Sequence, residues 1–134
     1  MITLEKVSKW YGKVRVLNNC STRIGKGEVV VVCGPSGSGK STLIKCINGL
    51  EPFQEGNVTV DGISVGDRRT NLPKLRARVG MVFQDFQLYP HMTALQNITL
   101  APIQVAKRDK TEAEAAALRL LKRVGLGEHA DRYP

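Results

Sequence analysis

The chain is poor in the residues that usually announce metal or redox chemistry. Of its 134 residues, three are cysteines and two are histidines. Cys20, Cys33 and Cys46 make an odd count without a C-x-x-C spacing, so they read as small reduced core residues rather than as a disulfide framework or zinc ligands. His91 and His129 stand apart from each other and are assigned no metal or catalytic role. Long apolar runs are missing as well. The longest covers five residues, 29–33, far short of the roughly 18 that a membrane-spanning helix needs. The N-terminus "MITLEKVSKW" has charges where a secretory signal needs its apolar stretch, which points to cytoplasmic residence. No internal repeat, low-complexity tract or linker breaks the chain, whose length suits one domain with a real core.

Acidic residues are the scarcer sign, 12 against 20 lysines and arginines, for a net charge of +8. The densest basic stretch, "DRRTNLPKLRARVG" at 67–80, holds Arg68, Arg69, Lys74, Arg76 and Arg78 against Asp67 alone. No aromatic residue is interleaved there to stack on bases, so a nucleic-acid partner is not expected. A solvated face explains the run better, with attraction to anionic lipid headgroups as a lesser alternative.

What the chain does have is the stretch "VVVVCGPSGSGKST" at 29–42. It fits G-x-x-x-x-G-K-[ST], with Gly34, Gly39, Lys40 and Ser41 in the fixed places and Pro35, Ser36, Gly37 and Ser38 between them. Glycines let the backbone wrap closely enough to aim its N–H groups at phosphate oxygens. Lys40 brings a positive charge to the terminal phosphates, and the Ser41 hydroxyl suits Mg²⁺. Thr42 continues into a helix, whose free N–H groups and positive dipole end face the same ligand. At average residue usage the four fixed positions coincide by chance in about one chain of this length in two hundred. The context supports the motif: "EVVVVC" reads as a buried strand before it, and "STLIKCINGL" as a helix after it. In that helix Leu43, Ile44, Ile47 and Leu50 are expected on one face and Gly49 at the stop.

The remaining pattern is mixed α and β. Residues 2–24 alternate as short strands separated by "YGK" and "NN" turns, and "KGE" at 26–28 is a further turn. "NVTVDG" is a short strand with Val58 and Val60 on one face, and "VGMVFQ" at 79–84 is a second candidate for a buried strand. "TALQ" at 93–96 and "TEAE" at 111–114 have capping-box form. The first opens a helix that Pro102 stops. The second opens a helix with Ala113, Ala117, Leu120, Leu121 and Val124 inward and Gly125 at its end.

In this order, "MITLEKVSKWYG", "KGEVVVVCGPSGSGKSTLIKCINGLEP", "TVDGI" and "LRARVGMVFQDFQLYPHMT" resemble the ATP-binding subunit of ABC transporters. The likeness is to the polar amino acid uptake branch, and within it to glutamate/aspartate import ATPases. The phosphate loop by itself would not separate this family from other P-loop proteins; the upstream tyrosine and the "MVFQ" stretch do. The resemblance implies an α/β P-loop NTPase of ABC type, with an antiparallel β layer, a parallel sheet core and flanking helices. It covers 1–134 as the N-terminal part of a single ATP-binding domain. The LSGGQ signature, the Walker B aspartate, the catalytic glutamate and the switch histidine of the family do not occur in these residues.

Carried over by position, Tyr11 matches the aromatic that stacks on adenine, residues 34–42 the ATP phosphate site, and Gln84 the Q-loop glutamine that with Ser41 attends Mg²⁺ and the attacking water. Residues 86–89, with Phe86, Leu88 and Tyr89, resemble the surface that receives the membrane permease subunits. The other implied partners are a second ATPase subunit and, indirectly, a periplasmic or extracellular substrate-binding protein, which places the protein peripherally on the cytoplasmic face of the plasma membrane. The expected function is binding of Mg-ATP and, in an intact member, its hydrolysis to power polar amino acid import. This chain alone is expected to bind without hydrolysing. The alternatives are a non-catalytic nucleotide-binding fragment and another P-loop kinase or GTPase. The latter is disfavoured by the 27 residues ahead of the phosphate strand and by the lack of an N-K-x-D guanine motif.

Overall fold

A computed structural model describes residues 1–85 and 87–134. The chain divides into two units, Met1–Met81 and Val82–Pro134, and each is described by itself.

In the first unit the alternating N-terminal residues form a long hairpin, β1 (Ile2–Tyr11) and β2 (Val14–Ile24). β3 (Glu55–Val60) pairs with the other edge of β1, and the short β4 (Ile63–Ser64) pairs with β3. The sheet order is β2-β1-β3-β4 and every pairing is antiparallel. The expected "NN" turn is instead a bulge inside β2. Asn19 takes φ 53°, and its N–H donates to Ser8 Oγ at 3.0 Å, so the hydroxyl supplies a partner that the ladder lacks there. A second irregularity lies between Leu4 and Val7 of β1, where Lys6 has φ 49°. It lets Leu4 and Val7, three residues apart, both turn into the core.

Leu4, Val7 and Leu17 of the hairpin meet Val58 and Val60 of β3, as the alternation of β3 predicts. The helix α1 (Lys40–Ile47) closes this core with Leu43, Cys46 and Ile47, which share one face at i, i+3 and i+4. Ile44 and Leu50, expected on that face, are exposed, because Ile44 lies to the side of the Leu43, Cys46 and Ile47 stripe and Leu50 lies beyond the end of the helix. Gly49, with φ 69°, ends α1 as expected.

A short helix α2 (Leu72–Arg76) adds Leu75 to the core. Three arginines of the basic stretch make contacts within the unit, Arg76 against α1 and Arg69 and Arg78 at the surface. Arg76 donates from Nη2 to Gly49 O at 2.6 Å and from Nε to Asn48 O at 3.3 Å, satisfying carbonyls at the negative end of α1. Arg78 reaches Asp61 at 3.3 Å and Arg69 reaches Asp67 at 3.0 Å.

The two expected buried parallel strands do not form. Residues 29–33 and 79–84 are not in strands, and Val29 is 92% and Val82 97% exposed. A run of β-branched residues supplies propensity, but a strand exists only when a neighbouring backbone completes its ladder. Among the described residues no segment pairs with either run. The chain is an α/β fold whose sheet is antiparallel.

The second unit is built on two helices packed on each other, α3 (Ala94–Gln104) and α4 (Lys110–Arg123), followed by a 3₁₀ turn at Gly127–His129. The Thr93–Gln96 capping box forms as the sequence predicts. Pro102 lies inside α3 rather than ending it, and the helix runs on to Gln104 despite the one intrahelical bond its missing N–H removes. The cap of α4 is Asp109, which accepts from Glu112 N at 3.1 Å, and Thr111 falls within the helix. Ala113, Ala117 and Leu121 are buried at strict i+4 spacing. Leu120 and Val124, expected inward, lie on the flank of this stripe and are exposed. The chain then returns to α3, where Ala130 O and Arg132 O accept from Leu95 N and Ala94 N.

Gly56, at φ 86°, brings β3 so close to β1 that a Cβ there would run into the carbonyl oxygens of Glu5 and Lys6. Gly56→Ala should therefore cost about 1–3 kcal/mol in strain and strand displacement. Urea unfolding should show Gly62→Ala, also at positive φ but facing open space, to be milder.

Candidate nucleotide-phosphate site

The phosphate loop is an exposed turn, closed by Ser38 N donating to Pro35 O at 3.3 Å. Its last residue, Gly39, has φ 91° and is the N-cap of α1. The helix starts with no side-chain cap and no acidic residue in its first turn. Its opening N–H groups thus keep their hydrogen-bonding capacity, and no carboxylate offsets the positive end of the dipole. Lys40 folds back over the turn and donates from Nζ to Gly34 O at 2.9 Å and Pro35 O at 2.8 Å. Free amide donors, a helix N-terminus, an ammonium and the hydroxyls of Ser41 and Thr42 converge within nine residues. This arrangement suits a polyanion.

The loop is anchored to the hairpin by a close approach. A Cβ on Gly39 would lie 2.9 Å from Val16 O and 3.1 Å from Leu17 Cδ2, so only a glycine lets α1 begin against β2 here. Leu17 pairs across the hairpin with Lys9, and Val14 pairs with Tyr11. Tyr11 is therefore on the same hairpin that the loop rests upon, toward its turn. Tyr11 is 45% exposed, and Lys9 Nζ lies 4.4 Å from its ring centroid. Trp10 faces the other way and carries Arg15 over its ring at 4.8 Å.

Among the described residues no three His, Cys, Asp or Glu side chains gather into a cage for a metal. A magnesium ion at a nucleotide keeps waters and is bound through a hydroxyl and the phosphates. Ser41, exposed in the first turn of α1, has the chemistry for this. Gln84 belongs to the second unit and is exposed in a bend. Leu88 and Tyr89 are also exposed, and Asn97 of α3 holds Tyr89 through both backbone groups, at 2.8 and 3.2 Å. Phe86 lies outside the described residues. Cys46, fully buried, has its thiol pushed up to about 11, chiefly by burial, so it stays protonated and inert.

Sequence reasoning passed over the residues that hold Tyr11 in place. Lys9 is only 3% exposed and pairs with Glu51 at 3.5 Å. Gln54 accepts from Trp10 N at 3.0 Å and donates to Trp10 O at 3.2 Å, and its own N–H donates to Ser8 O. The two-residue period of a strand sets Lys9 and Tyr11 on one face, but their partners, more than 40 residues away, leave no local signal.

Fold and loop together define a P-loop nucleotide-binding architecture. The sequence profile described as ABC transporter matches residues 17–134, and the chain belongs to that family. It is 64% identical over all 134 residues to the glutamate/aspartate import ATP-binding protein GltL of Escherichia coli (strain K12), and covers 56% of that protein. Identity to the glutamine transport ATP-binding protein GlnQ of Bacillus subtilis (strain 168) is 51% over the whole chain, covering 55% of the relative. Among solved structures, the ATP-binding cassette MJ0796 in a dimeric post-hydrolysis state bound to ADP and Pi matches with a TM-score of 0.89 at 36% identity. That match covers 100% of this chain and 62% of the other. The chain thus spans little more than half the length of the curated relatives it matches. No helix among the described residues is long and apolar enough to cross a membrane.

Gly39→Ala should push the loop off β2. Affinity for inorganic tripolyphosphate, measured calorimetrically, is expected to fall about tenfold or more, equivalent to roughly 1.4 kcal/mol.

Proposed function

We propose that residues 1–134 form the N-terminal part of a single ABC ATP-binding domain that binds Mg-ATP. In the intact protein, hydrolysis of that ATP would power import of a polar amino acid, glutamate or aspartate in particular. The observation that carries this reading is the uncapped N-terminus of α1 with Lys40 across it, set by Gly39 against the Tyr11 hairpin. The names of the relatives GltL and GlnQ support the transport role and its substrate class.

In this reading the backbone of Gly34, Pro35, Ser36, Gly37, Ser38 and Gly39 wraps the phosphates, and Lys40 exchanges its two carbonyl contacts for phosphate oxygens. Ser41 and Thr42 add hydroxyl and amide donors at the helix start, and Ser41 is the protein ligand to Mg²⁺. Bound Mg²⁺ neutralises phosphate charge and orients the terminal phosphate. Tyr11 stacks on the base, with a ring broad enough to hold a purine by its face. Gln84 is assigned a supporting role toward the metal and the attacking water through its side-chain carbonyl. Residues 86–89, with Phe86, Leu88 and Tyr89, are assigned to contact with membrane permease subunits. A second ATPase subunit faces the nucleotide in the assembled transporter, which sits peripherally on the cytoplasmic side of the membrane with a substrate-binding protein on the other side. The dimeric description of MJ0796 supports the paired arrangement.

A second reading, a nucleotide-binding fragment without turnover, applies to these 134 residues taken alone. Their sequence holds neither the signature nor the acidic strand end that places water at the γ-phosphate. Titration of the chain with Mg-ATP is expected to show binding that Lys40→Ala reduces at least tenfold, with no phosphate release. Binding unaffected by Lys40→Ala would refute the site. Phosphate release that Lys40→Ala removes would refute the lack of turnover. A preference for GTP over ATP would turn the reading toward another P-loop class.

A further inference from the structure

Lys9 is unusual among the charged residues of the described chain. Its ammonium is buried, on the same strand face as Tyr11 two residues on, and lies 4.4 Å from the centre of that ring. On its other side Glu51 Oε2 stands 3.5 Å away. A buried cation without a partner is costly, so the carboxylate and the negative face of the ring together define where the ammonium rests. Glu51 leaves the C-terminal end of α1 and is fixed there by its own N–H donating to Lys45 O at 3.1 Å. The same segment grips β1 again through the three Gln54 bonds to Ser8 and Trp10. The helix that opens at the phosphate loop is therefore tied, at its exit, to the strand that carries Tyr11.

We propose that Lys9 is a positioning residue for base recognition: its ammonium, held by Glu51, seats the inner face of Tyr11 and leaves the outer face as the platform for a purine. The proposal rests on the reading of Tyr11 as the base-stacking residue. Two physical consequences follow. The ring loses freedom to rotate before ligand arrives, which lowers the ordering cost of stacking. The cation also draws π-electron density toward the buried face, so the outer face is better suited to a neutral, electron-rich base than to a second cation.

The test compares Mg-ATP with Mg-tripolyphosphate by calorimetry on the chain and its variants, because only the first ligand has a base. The parent chain should prefer ATP by roughly 5- to 100-fold, the range expected for one stacked base. Tyr11→Ala should bring the two affinities together. Lys9→Met, which keeps the apolar stem and removes the charge, should cut the ATP preference about three- to tenfold, with tripolyphosphate affinity unchanged. In the Tyr11→Ala background Lys9→Met should have no further effect.

A Lys9→Met variant that weakens both ligands equally, or that acts undiminished without Tyr11, makes Lys9 a general structural residue and overturns the proposal. If Tyr11→Ala erases the preference while Lys9→Met leaves it intact, the role of Lys9 alone falls. If Tyr11→Ala leaves the preference intact, the stacking reading falls and this proposal with it. Should Lys9→Met fail to hold the fold, Glu51→Gln carries the test, since it frees the ammonium while leaving stem and ring in place. An unchanged ATP-to-tripolyphosphate ratio there overturns the proposal.

Discussion

The burial of one face of α1 against the N-terminal sheet is the constraint on which the rest of the first unit depends. Eight residues are too few for a helix to persist alone in water, where about 12–15 are already marginal. Cys46, with Leu43 and Ile47 beside it, supplies the missing stability by packing on Leu4, Val7, Leu17 and Val58. Because the helix is held by its side, its first turn is free to point uncapped N–H groups outward. The uncapped end is thus a by-product of core packing, and its position is inherited from the sheet.

Charge is distributed in a way that supports this. The negative end of α1 is answered by Arg76, while the positive end has no carboxylate near it in the first turn. One pole of the dipole is quenched internally and the other is left uncapped. Of the basic stretch that contributes to the net charge of +8, Arg76 does this work, while Arg69 and Arg78 pair with Asp67 and Asp61 at the surface. A charge count over sequence could not distinguish such residues from a polyanion-binding face.

The exposed valines mark the limit of local inference. Residues 29–33 have every intrinsic feature of a central strand, yet they stay unpaired among the described residues. The same limit governs α4, where Ala113, Ala117 and Leu121 are buried as read but Leu120 and Val124 are not. Periodicity tells which residues share a face. It does not tell how wide a face its neighbours will cover.

By itself the sequence determined the tight glycine turn at 34–39 that opens α1, because positive-φ glycines and a short-range hydrogen bond make such a turn from neighbouring residues. It also determined the Thr93–Gln96 cap, the glycine stops of α1 and α4 and the inward pair Val58 and Val60, all of them consequences of local geometry. Tertiary structure alone decided that Gly39 is pressed onto Val16, that Asn19 makes a bulge rather than a turn, and that Lys9 is buried between Glu51 and Tyr11. Each of these depends on a backbone or side chain remote in sequence. Short-range steric and hydrogen-bonding rules are written residue by residue, whereas the cost of burying a charge or a carbonyl is fixed only when the chain has folded around it.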